Sequence, residues 1–512
     1  AAGNDNTASN EVTAVFDGTP PTITIGALSG PSAGTYTASI TLSEPSTDFV
    51  AGDLTLTNAT ATLSGSGTSY TATLTPVADG QIALSVGAGS FTDAAGNDNT
   101  ASNEVTAVFD GTPPTVSITD APSTVNALTS FTVTITFSED VTGFDSSDIN
   151  VSNATVSTLT GSGSAYQAQL TASGGGPVSL VVPADVAFDP GNNGNLASNS
   201  VSIADVTVEQ TQQLIASFMQ TRANQLIQSQ PGLTGFLSGQ ANGGFDMNVT
   251  RGQGQFNIAS NPEYPVWMQA QGSWSSNSTS KSRYMFGTLG AHRKVSSNLL
   301  VGAMLQFDHL SEDTGMASVN GAGWMVGPYF VAKSAKQPVF FEGRLLYGET
   351  TNTISPFGTY EDDFDTTRLL AQMKVTGEYN YGSATTWYPF FDASYVSDDQ
   401  HSYVDSLGNT IPGQGINLSQ IEMGLDFKRE VQANAGELEL LGGVSGIWSH
   451  TSGQGFASTI SPDYEGARMR VELGVNRVWS TLRQFNAATF YDGIGANGFE
   501  SFGARLGYEM QF

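Results

Sequence analysis

The chain has 512 residues, with 18 Lys and Arg against 47 Asp and Glu, a net charge of -29 at pH 7 and no cysteine. Such an acidic chain is repelled by phosphate, which argues against a nucleic-acid partner. The absence of cysteine excludes a disulfide scaffold, thiolate zinc sites and thiol catalysis. No apolar run is long enough for a transmembrane helix, but the alternating strands of a membrane barrel escape such a search.

The charge divides the chain near residue 206. Residues 1–206 contain 19 acidic residues and no Lys or Arg, and the first basic residue is Arg222. The remaining 28 acidic and all 18 basic residues follow. A length of 512 residues already predicts several domains, and this change in composition indicates two different kinds.

The first part contains a long internal repeat. Residues 1–22 are identical to residues 94–115, and a degenerate third copy begins at Asp189. Short alternating runs separated by Gly, Pro, Asn and Asp turns predict β-sandwich domains. We expect the end of a truncated repeat over 1–16 and complete repeats over 17–109 and 110–202.

These repeats resemble the bacterial Ig-like repeats of surface adhesins, in the Phe-Asp-Gly-Thr-Pro-Pro-Thr opening and in a Ser-Glu pair that recurs in each unit. The resemblance implies calcium near the domain junctions. The expected ligands are Asp93, Asn97, Asp98 and Asp110, because oxygen ligands at a joint suit calcium. The alternative is that these Asp and Asn residues only form turns.

The next segment predicts a helix. Apolar residues recur at helical spacing between Ile203 and Ser229, and Pro231 and Gly232 end the pattern. Its Gln-rich faces exclude contact with lipid, so a crossing of the membrane requires a polar surrounding. We expect a lumen-spanning helix over 203–232 and an irregular linker over 233–263.

The last part, residues 264–512, alternates like an outer-membrane β-barrel. On several strands apolar residues alternate with charged, polar or glycine residues, as Leu473 does with Glu472 and Gly474. Long and short connections alternate, with a long loop expected over Asp308–Gly321. Twelve strands are predicted, near 264–274, 284–294, 299–307, 322–333, 338–348, 367–380, 386–397, 417–430, 436–448, 467–478, 484–491 and 499–512. An aromatic girdle at the strand ends is expected from Trp267, Trp274, Trp324, Tyr329, Tyr347, Trp387, Tyr388, Trp448 and Trp479.

Repeats, a helix and a terminal barrel together resemble an autotransporter (type V secretion). The last strand supports this, because Arg505, Gly507, Met510 and Phe512 match the pattern by which the barrel assembly machinery recognises its clients. The expected fold is all-β, with tandem Ig-like sandwiches and a helix inside a 12-stranded antiparallel transmembrane barrel. The expected partners are outer-membrane lipid, the assembly machinery and an unknown surface receptor or glycan, and no nucleic acid.

The resemblance also bears on the lumen. Some autotransporters cut their own helix at an Asn-Asn pair, but this helix has only Asn224, so we expect the passenger to stay attached. Inward charges are expected to pair with one another and with the helix. The predicted lumen and plug contacts are Arg222, Glu342, Arg344, Lys374, Glu422, Asp426, Arg470 and Glu472.

No catalytic residues are predicted. The histidines lack metal-ligand spacing, and the chain has no nucleophile elbow, phosphate loop or zinc-protease motif. The expected function is a translocator that anchors in the outer membrane of a Gram-negative bacterium and displays an adhesin-type passenger outside. Two alternatives stay open: a secreted, soluble carbohydrate-binding or hydrolase protein, and a channel barrel with periplasmic Ig-like domains.

Overall fold

The computed structural model describes all residues except 1–4, 6, 239–243, 251–252, 260–264, 277–279, 433–436, 463, 481–482, 497–500 and 511–512. The chain forms two compact units. The first comprises Ala1–Ser123, Ser130–Ala172 and Pro177–Ile203, and the second comprises Thr124–Thr129, Ser173–Gly176 and Ala204–Phe512.

The first complete repeat is a two-sheet sandwich. Its β-branched runs form one sheet in the order β1-β3-β2, with β5 paired to β3, and a second in the order β4-β6-β7. Side chains from both sheets, among them Ile40, Leu74 and Leu84, are fully buried between them. The strands are β1 (Ile23–Ile25), β2 (Ser29–Ser32), β3 (Thr35–Ser46), β4 (Leu54–Thr57), β5 (Ala59–Pro76), β6 (Gly80–Val86) and β7 (Val105–Phe109), with a 3-10 helix at Ala51–Asp53.

The second repeat has the same plan. One sheet has the order β12-β10-β8 and the other β11-β13-β14, to which β9 adds a short parallel pairing. The strands are β8 (Val116–Thr119), β9 (Thr124–Val125), β10 (Ser130–Val141), β11 (Asn150–Ser152), β12 (Ala154–Ala172), β13 (Val178–Val181) and β14 (Val201–Asp205), with a 3-10 helix at Ser146–Asp148.

The predicted helix is present but begins later than expected. Helix α1 spans Thr207–Gln228, whereas Ile203 lies in β14, because Val201 and Ile203 alternate with polar residues as a strand does. The Asp205 carboxylate accepts hydrogen bonds from the main-chain N–H and the hydroxyl of Thr207. A short helix, α2, follows at Gly235–Ser238. No helix among the described residues combines the length and the apolar character that crossing a membrane requires.

The C-terminal sheet contains all twelve predicted strands. They are antiparallel neighbours in chain order, and β22 pairs with both β21 and β24. The strands of this sheet are β15 (Gly244–Thr250), β16 (Gln253–Ala259), β17 (Val266–Ser276), β18 (Ser280–Ser296), β19 (Leu299–Thr314), β20 (Ala317–Lys333), β21 (Val339–Ser355), β22 (Asp362–Gly377), β23 (Tyr379–Tyr381), β24 (Thr385–Gln400), β27 (Gln414–Gln432), β28 (Glu437–Gln454), β29 (Gly466–Ser480), β30 (Arg483–Ile494) and β31 (Ser501–Met510). A separate two-stranded sheet is formed by β25 (Tyr403–Val404) and β26 (Thr410–Ile411), and a 3-10 helix lies at Gly455–Thr459.

Two expectations for this region were wrong. The predicted linker 233–263 contains α2 and two strands, β15 and β16, which join the same sheet; β15 pairs with β31, so the strand order is circular. The predicted loop Asp308–Gly321 is mostly strand, because β19 and β20 continue to a turn at Gly315 and Met316. Polar composition hid these elements, since alternation of small and polar residues is a weak strand signal.

Candidate functional site

The barrel strands turn opposite kinds of side chain to their two faces. On β29 the outward Leu473 is 63% exposed, and on β27 the outward Met423 is 60% exposed. Arg368 on β22, which faces inward, is by contrast buried. This is the predicted alternation, and it is the reverse of a soluble sandwich, which buries its apolar face.

The predicted aromatic girdle is partly wrong. Trp274, Trp324, Tyr347 and Trp448 are exposed, and Trp387 and Tyr388 are half-buried. Trp267 and Tyr329 instead face inward, are only 4% and 2% exposed, and are joined by a 2.8 Å hydrogen bond from Trp267 Nε1 to Tyr329 Oη. Val266 and Met268, which flank Trp267, are the exposed residues there. The side chain of Trp479 lies outside the described residues.

Helix α1 occupies the lumen of the sheet. Its apolar residues Ile215, Phe218, Met219 and Leu226 are almost fully buried in one cluster with inward-facing barrel residues such as Leu370. A helix with Gln on its remaining faces can pack there because polar strand residues also face inward. The apolar helical spacing read from the sequence therefore marks contacts with the barrel wall.

The helix is bonded to the barrel at Gln212 and Gln220, through both main-chain carbonyls and the Gln220 side chain. Gln414 Nε2 on β27 donates to the Gln212 carbonyl over 2.9 Å. The Gln220 carbonyl accepts from Tyr464 Oη over 3.1 Å, and Gln220 Nε2 donates to the Ile460 carbonyl over 3.0 Å. The loop between β28 and β29 thus closes over the helix.

An ion-pair network lies further along the helix. Arg222 Nε donates to Asp308 Oδ2 over 2.6 Å, and Arg222 Nη1 donates to Asn352 Oδ1 over 2.8 Å. Arg368 donates to both oxygens of Asp308, over 2.7 and 3.1 Å. The sequence predicted Arg222 but missed Asp308, which it assigned to a loop. The inward alternation of Met304 and Gln306 would have placed Asp308 in the lumen.

The predicted residues Glu342 and Arg344 hold the chain just after the helix. Glu342 Oε2 accepts from the Leu233 N–H over 2.7 Å and from the Thr234 hydroxyl over 3.0 Å. Arg344 donates to the Pro231 carbonyl over 2.6 Å and pairs with Glu342 over 3.3 Å. The helix is therefore bonded to the barrel at both of its ends.

The other five predicted lumen residues lie on the barrel wall, four of them half-buried and Asp426 exposed, and the structure does not bring them together with the three above into one plug contact. Arg470 pairs with Glu472 over 3.2 Å. Lys374 Nζ lies 5.3 Å from the centre of the Phe390 ring. The five are Lys374, Glu422, Asp426, Arg470 and Glu472.

A carboxylate cluster occurs at one end of the first repeat. Carboxylate oxygens of Asp17, Glu44 and Asp93 all lie within 4.8 Å of one another. Asn97 Nδ2 donates to Asp93 Oδ2 over 2.7 Å and to the Asp17 carbonyl over 3.2 Å. These Asn97 bonds lower the pKa of Asp93, whereas desolvation and the charges of Asp17 and Asp93 raise the pKa of Glu44.

The second repeat has an equivalent cluster of Asp110, Glu139 and Asp189, again with oxygens within 4.8 Å of one another. Asn193 is equivalent to Asn97: its Nδ2 donates to Asp189 Oδ2 and to the Asp110 carbonyl, each over 3.0 Å. Desolvation, followed by the charges of Asp110, Asp189 and Asp79, raises the pKa of Glu139. These are the two carboxylate clusters of this kind among the described residues.

The predicted calcium ligands are therefore divided between the clusters. Asp93 and Asn97 belong to the first cluster and Asp110 to the second, while Asp98 is exposed and belongs to neither. Four members of the clusters were not predicted from the sequence: Asp17, Glu44, Glu139 and Asp189. The repeat itself carried the signal, since each of these positions has an equivalent in the other unit.

Two family models match the chain. Residues 17–109 and 110–205 match the bacterial Ig-like domain, so the second domain extends three residues beyond the predicted 202 to include the end of β14. Residues 266–487 match the autotransporter beta-domain. Neither family is catalytic. None of the curated protein sequences matches.

Solved structures with similarity to the chain include three autotransporter domains. The transport unit of AIDA-I from Escherichia coli is 14% identical, with 58% of this chain and 97% of that chain covered and a TM-score of 0.38. The translocator domain of NalP from Neisseria meningitidis is 15% identical, with coverages of 58% and 99% and a TM-score of 0.36. The beta domain of Bordetella BrkA is 15% identical, with coverages of 53% and 100% and a TM-score of 0.33.

Proposed function

We propose, on the premise that this chain belongs to the autotransporter family, that its barrel keeps the two Ig-like repeats permanently attached outside the cell as an adhesive stalk. Proteins with this β-domain are outer-membrane proteins of Gram-negative bacteria, and the β-domain anchors the chain and displays a passenger. The stalk then presents the repeats to a surface receptor or glycan.

The continuous helix carries the proposal of attachment. Helix α1 is unbroken between its contact with Gln414 and the bonds that Glu342 and Arg344 make beyond its end. Its single asparagine, Asn224, offers no Asn-Asn pair for self-cleavage. A helix bonded at both ends ties the displayed domains to the barrel without a further anchor.

The proposed partners of the barrel are lipid and the assembly machinery. Lipid is supported by the exposed apolar face of strands such as β29. The assembly signal is supported by position, because Arg505, Gly507 and Met510 lie on β31. Phe512 lies outside the described residues.

Protease treatment of intact cells tests display and attachment together. Proteinase K is expected to remove the repeats from outside, and untreated cells are expected to yield the repeats and the barrel joined in one uncut chain. Trypsin is a matched control, because residues 1–221 contain no Lys or Arg and so offer it no cleavage site. Repeats that resist proteinase K until the outer membrane is opened would contradict display, and a separate passenger in untreated cells would contradict attachment.

Calcium is the cation that the two carboxylate clusters fit best. Each offers three carboxylates, and residues 1–206 contain no Lys or Arg that could neutralise them. Calcium takes several oxygen ligands in flexible geometry. In the Asp17 and the Asp110 clusters alike, a bound cation would offset the repulsion that raises the pKa of the central glutamate.

Calorimetry of the full chain in detergent tests this proposal. At about 10 mM calcium the melting transition of the repeats is expected to rise by roughly 5–15 °C over EDTA, given the millimolar to submillimolar affinities of extracellular sites. Glu44→Gln with Glu139→Gln should abolish the rise. In EDTA the same two substitutions should stabilise the repeats. The folded-state pKa of each glutamate is raised, so ionisation of its carboxyl as the pH rises through that pKa destabilises the folded repeat, and glutamine does not ionise.

Asp98→Asn is the matched control for calcium, because Asp98 is an exposed acid in the same loop as Asp93 but outside the cluster. It should leave the calcium response unchanged. A response that survives the double glutamate substitution, or that disappears with Asp98→Asn, would contradict the assignment to these clusters.

A further inference from the structure

We propose that Arg222 sets the register at which helix α1 stops in the barrel lumen, and that a buried acidic pocket around Asp308 receives its guanidinium group. This inference rests on the proposed function, because a stopping point matters only in a chain whose upstream part is displayed outside. Arg222 is a positioning residue here, acting through its place in the helix.

The pocket is one positive charge short without the helix. The barrel contributes Asp308 and Asp398, which are buried, and the buried Arg368, which faces Asp398 across the pairing of β22 with β24. Two carboxylates and one guanidinium leave a net charge of about -1, taking each group in its ordinary charge state. Arg222 interacts with both carboxylates and brings the sum to zero.

The pocket is also shaped for a guanidinium group. A Cβ atom at Gly323 on β20 would lie 2.3 Å from Arg368 Nη2 and 2.9 Å from Arg222 Nη2, and one at Gly321 would lie 2.9 Å from Arg222 Nη1. Only glycine leaves that space. Asn352 turns its oxygen to Arg222 because its amide nitrogen donates to the Thr350 hydroxyl and to the Phe364 carbonyl.

The sequence leaves one way to fill this pocket. Residues 1–221 contain no Lys or Arg, so none of them can pair with Asp308 while that part of the chain occupies the lumen. The helix contains one other charged residue, Glu209, which has the wrong sign. The contacts at the Gln212 and Gln220 carbonyls do not select a register, because every turn of a helix presents a carbonyl. The bond from Gln220 Nε2 to the Ile460 carbonyl does favour the observed register, but a neutral hydrogen bond contributes less than a bond between charged groups. Arg222 therefore defines the only register that makes the ion pair.

Cysteine cross-linking measures the register, and the chain has no cysteine of its own. Ser273 Oγ on β17 lies 3.3 Å from Gln225 Oε1, so Ser273→Cys with Gln225→Cys, joined by a short bifunctional thiol reagent that replaces the reach of the glutamine side chain, reports the observed register. Ser273→Cys with Thr221→Cys reports a helix displaced by one turn, about 6 Å. In the otherwise unchanged chain we expect the first pair to cross-link at least tenfold more than the second.

Four variants test whether Arg222 sets the register. Arg222→Gln should reduce that tenfold preference at least threefold, with the remainder due to the bonds at Gln220, Glu342 and Arg344, whereas Arg222→Lys, which keeps the charge, should retain most of it. Arg222→Gln combined with Phe218→Arg moves the cation one turn earlier and should make the Thr221 pair the preferred one. Gln213→Arg adds an arginine on the exposed face of the helix while Arg222 is kept, and it should leave the cross-linking preference unchanged.

An unchanged cross-linking preference in Arg222→Gln would overturn the proposal. So would an unchanged register in a folded chain that carries Arg222→Gln and Phe218→Arg. If the Phe218→Arg chain fails to fold, judged by mobility that no longer changes on boiling, the contrast between Gln and Lys at Arg222 decides. Proteinase K treatment of the same cells tests surface display separately from the role of Arg222 in setting the register. Repeats that stay hidden while the register follows the arginine would overturn surface display but not the stop.

Discussion

Leu473→Arg is expected to destabilise the folded barrel by about 2–4 kcal/mol, the cost of a cation at the middle of the lipid-facing side of a membrane strand. Leu473 is the central residue of β29 and is 63% exposed, on the same face as Met469 and Val471. On a water-facing surface such a change would cost little, because surface substitutions usually stay within about 0.5 kcal/mol. The free energy of unfolding in urea, measured from lipid vesicles by mobility that changes on boiling, gives the value.

Val108→Arg is the matched control. Val108 is 75% exposed on β7 of the first repeat, so exposure alone would rank it as no less tolerant than Leu473. Its side chain faces water, and we expect no measurable change in the melting of the repeats. Equal and small effects at both positions would show that the outer face of β29 does not contact lipid.

Lipid on one face of a barrel wall and a polar lumen on the other also decide how much of the fold could be predicted from the sequence. Alternation located every one of the twelve predicted strands, because it is imposed directly by the two environments of a barrel wall. It failed at β15 and β16, which are rich in Gly, Asn and Gln, and at the ends of β19 and β20. Where neither face needs strong apolar character, strand pairing is decided by neighbouring strands, which a single sequence does not reveal.

The candidate sites were less predictable because they depend on pairings across the fold. Trp267 was assigned outward by its residue type, although its exposed neighbours Val266 and Met268 already indicated an inward position. Glu139 lies far in sequence from Asp189 and only the sandwich brings their carboxylates together. Internal repetition was the one sequence signal strong enough to find both carboxylate clusters, because the two units place equivalent acids at equivalent positions.

Asp308→Asn is expected to lower the free energy of unfolding by about 3–5 kcal/mol, since it removes the carboxylate that pairs with both of the buried residues Arg222 and Arg368. The unfolding measurement used for Leu473→Arg applies here as well. Asp313→Asn is the control, because Asp313 lies on the same strand but is exposed, and its loss should stay within about 0.5 kcal/mol.

The double variant Asp308→Asn with Arg222→Gln separates a charge effect from a packing effect. In Asp308→Asn the two guanidinium groups share the single carboxylate of Asp398, so one positive charge is in excess. Removing Arg222 should return part of the lost stability, so the double variant should be more stable than Asp308→Asn alone. Additive losses, with the double variant the least stable of the three, would mean that the pocket around Asp308 contributes through packing. In that case the ion pair with Arg222 would not be what joins the helix to the wall of the barrel.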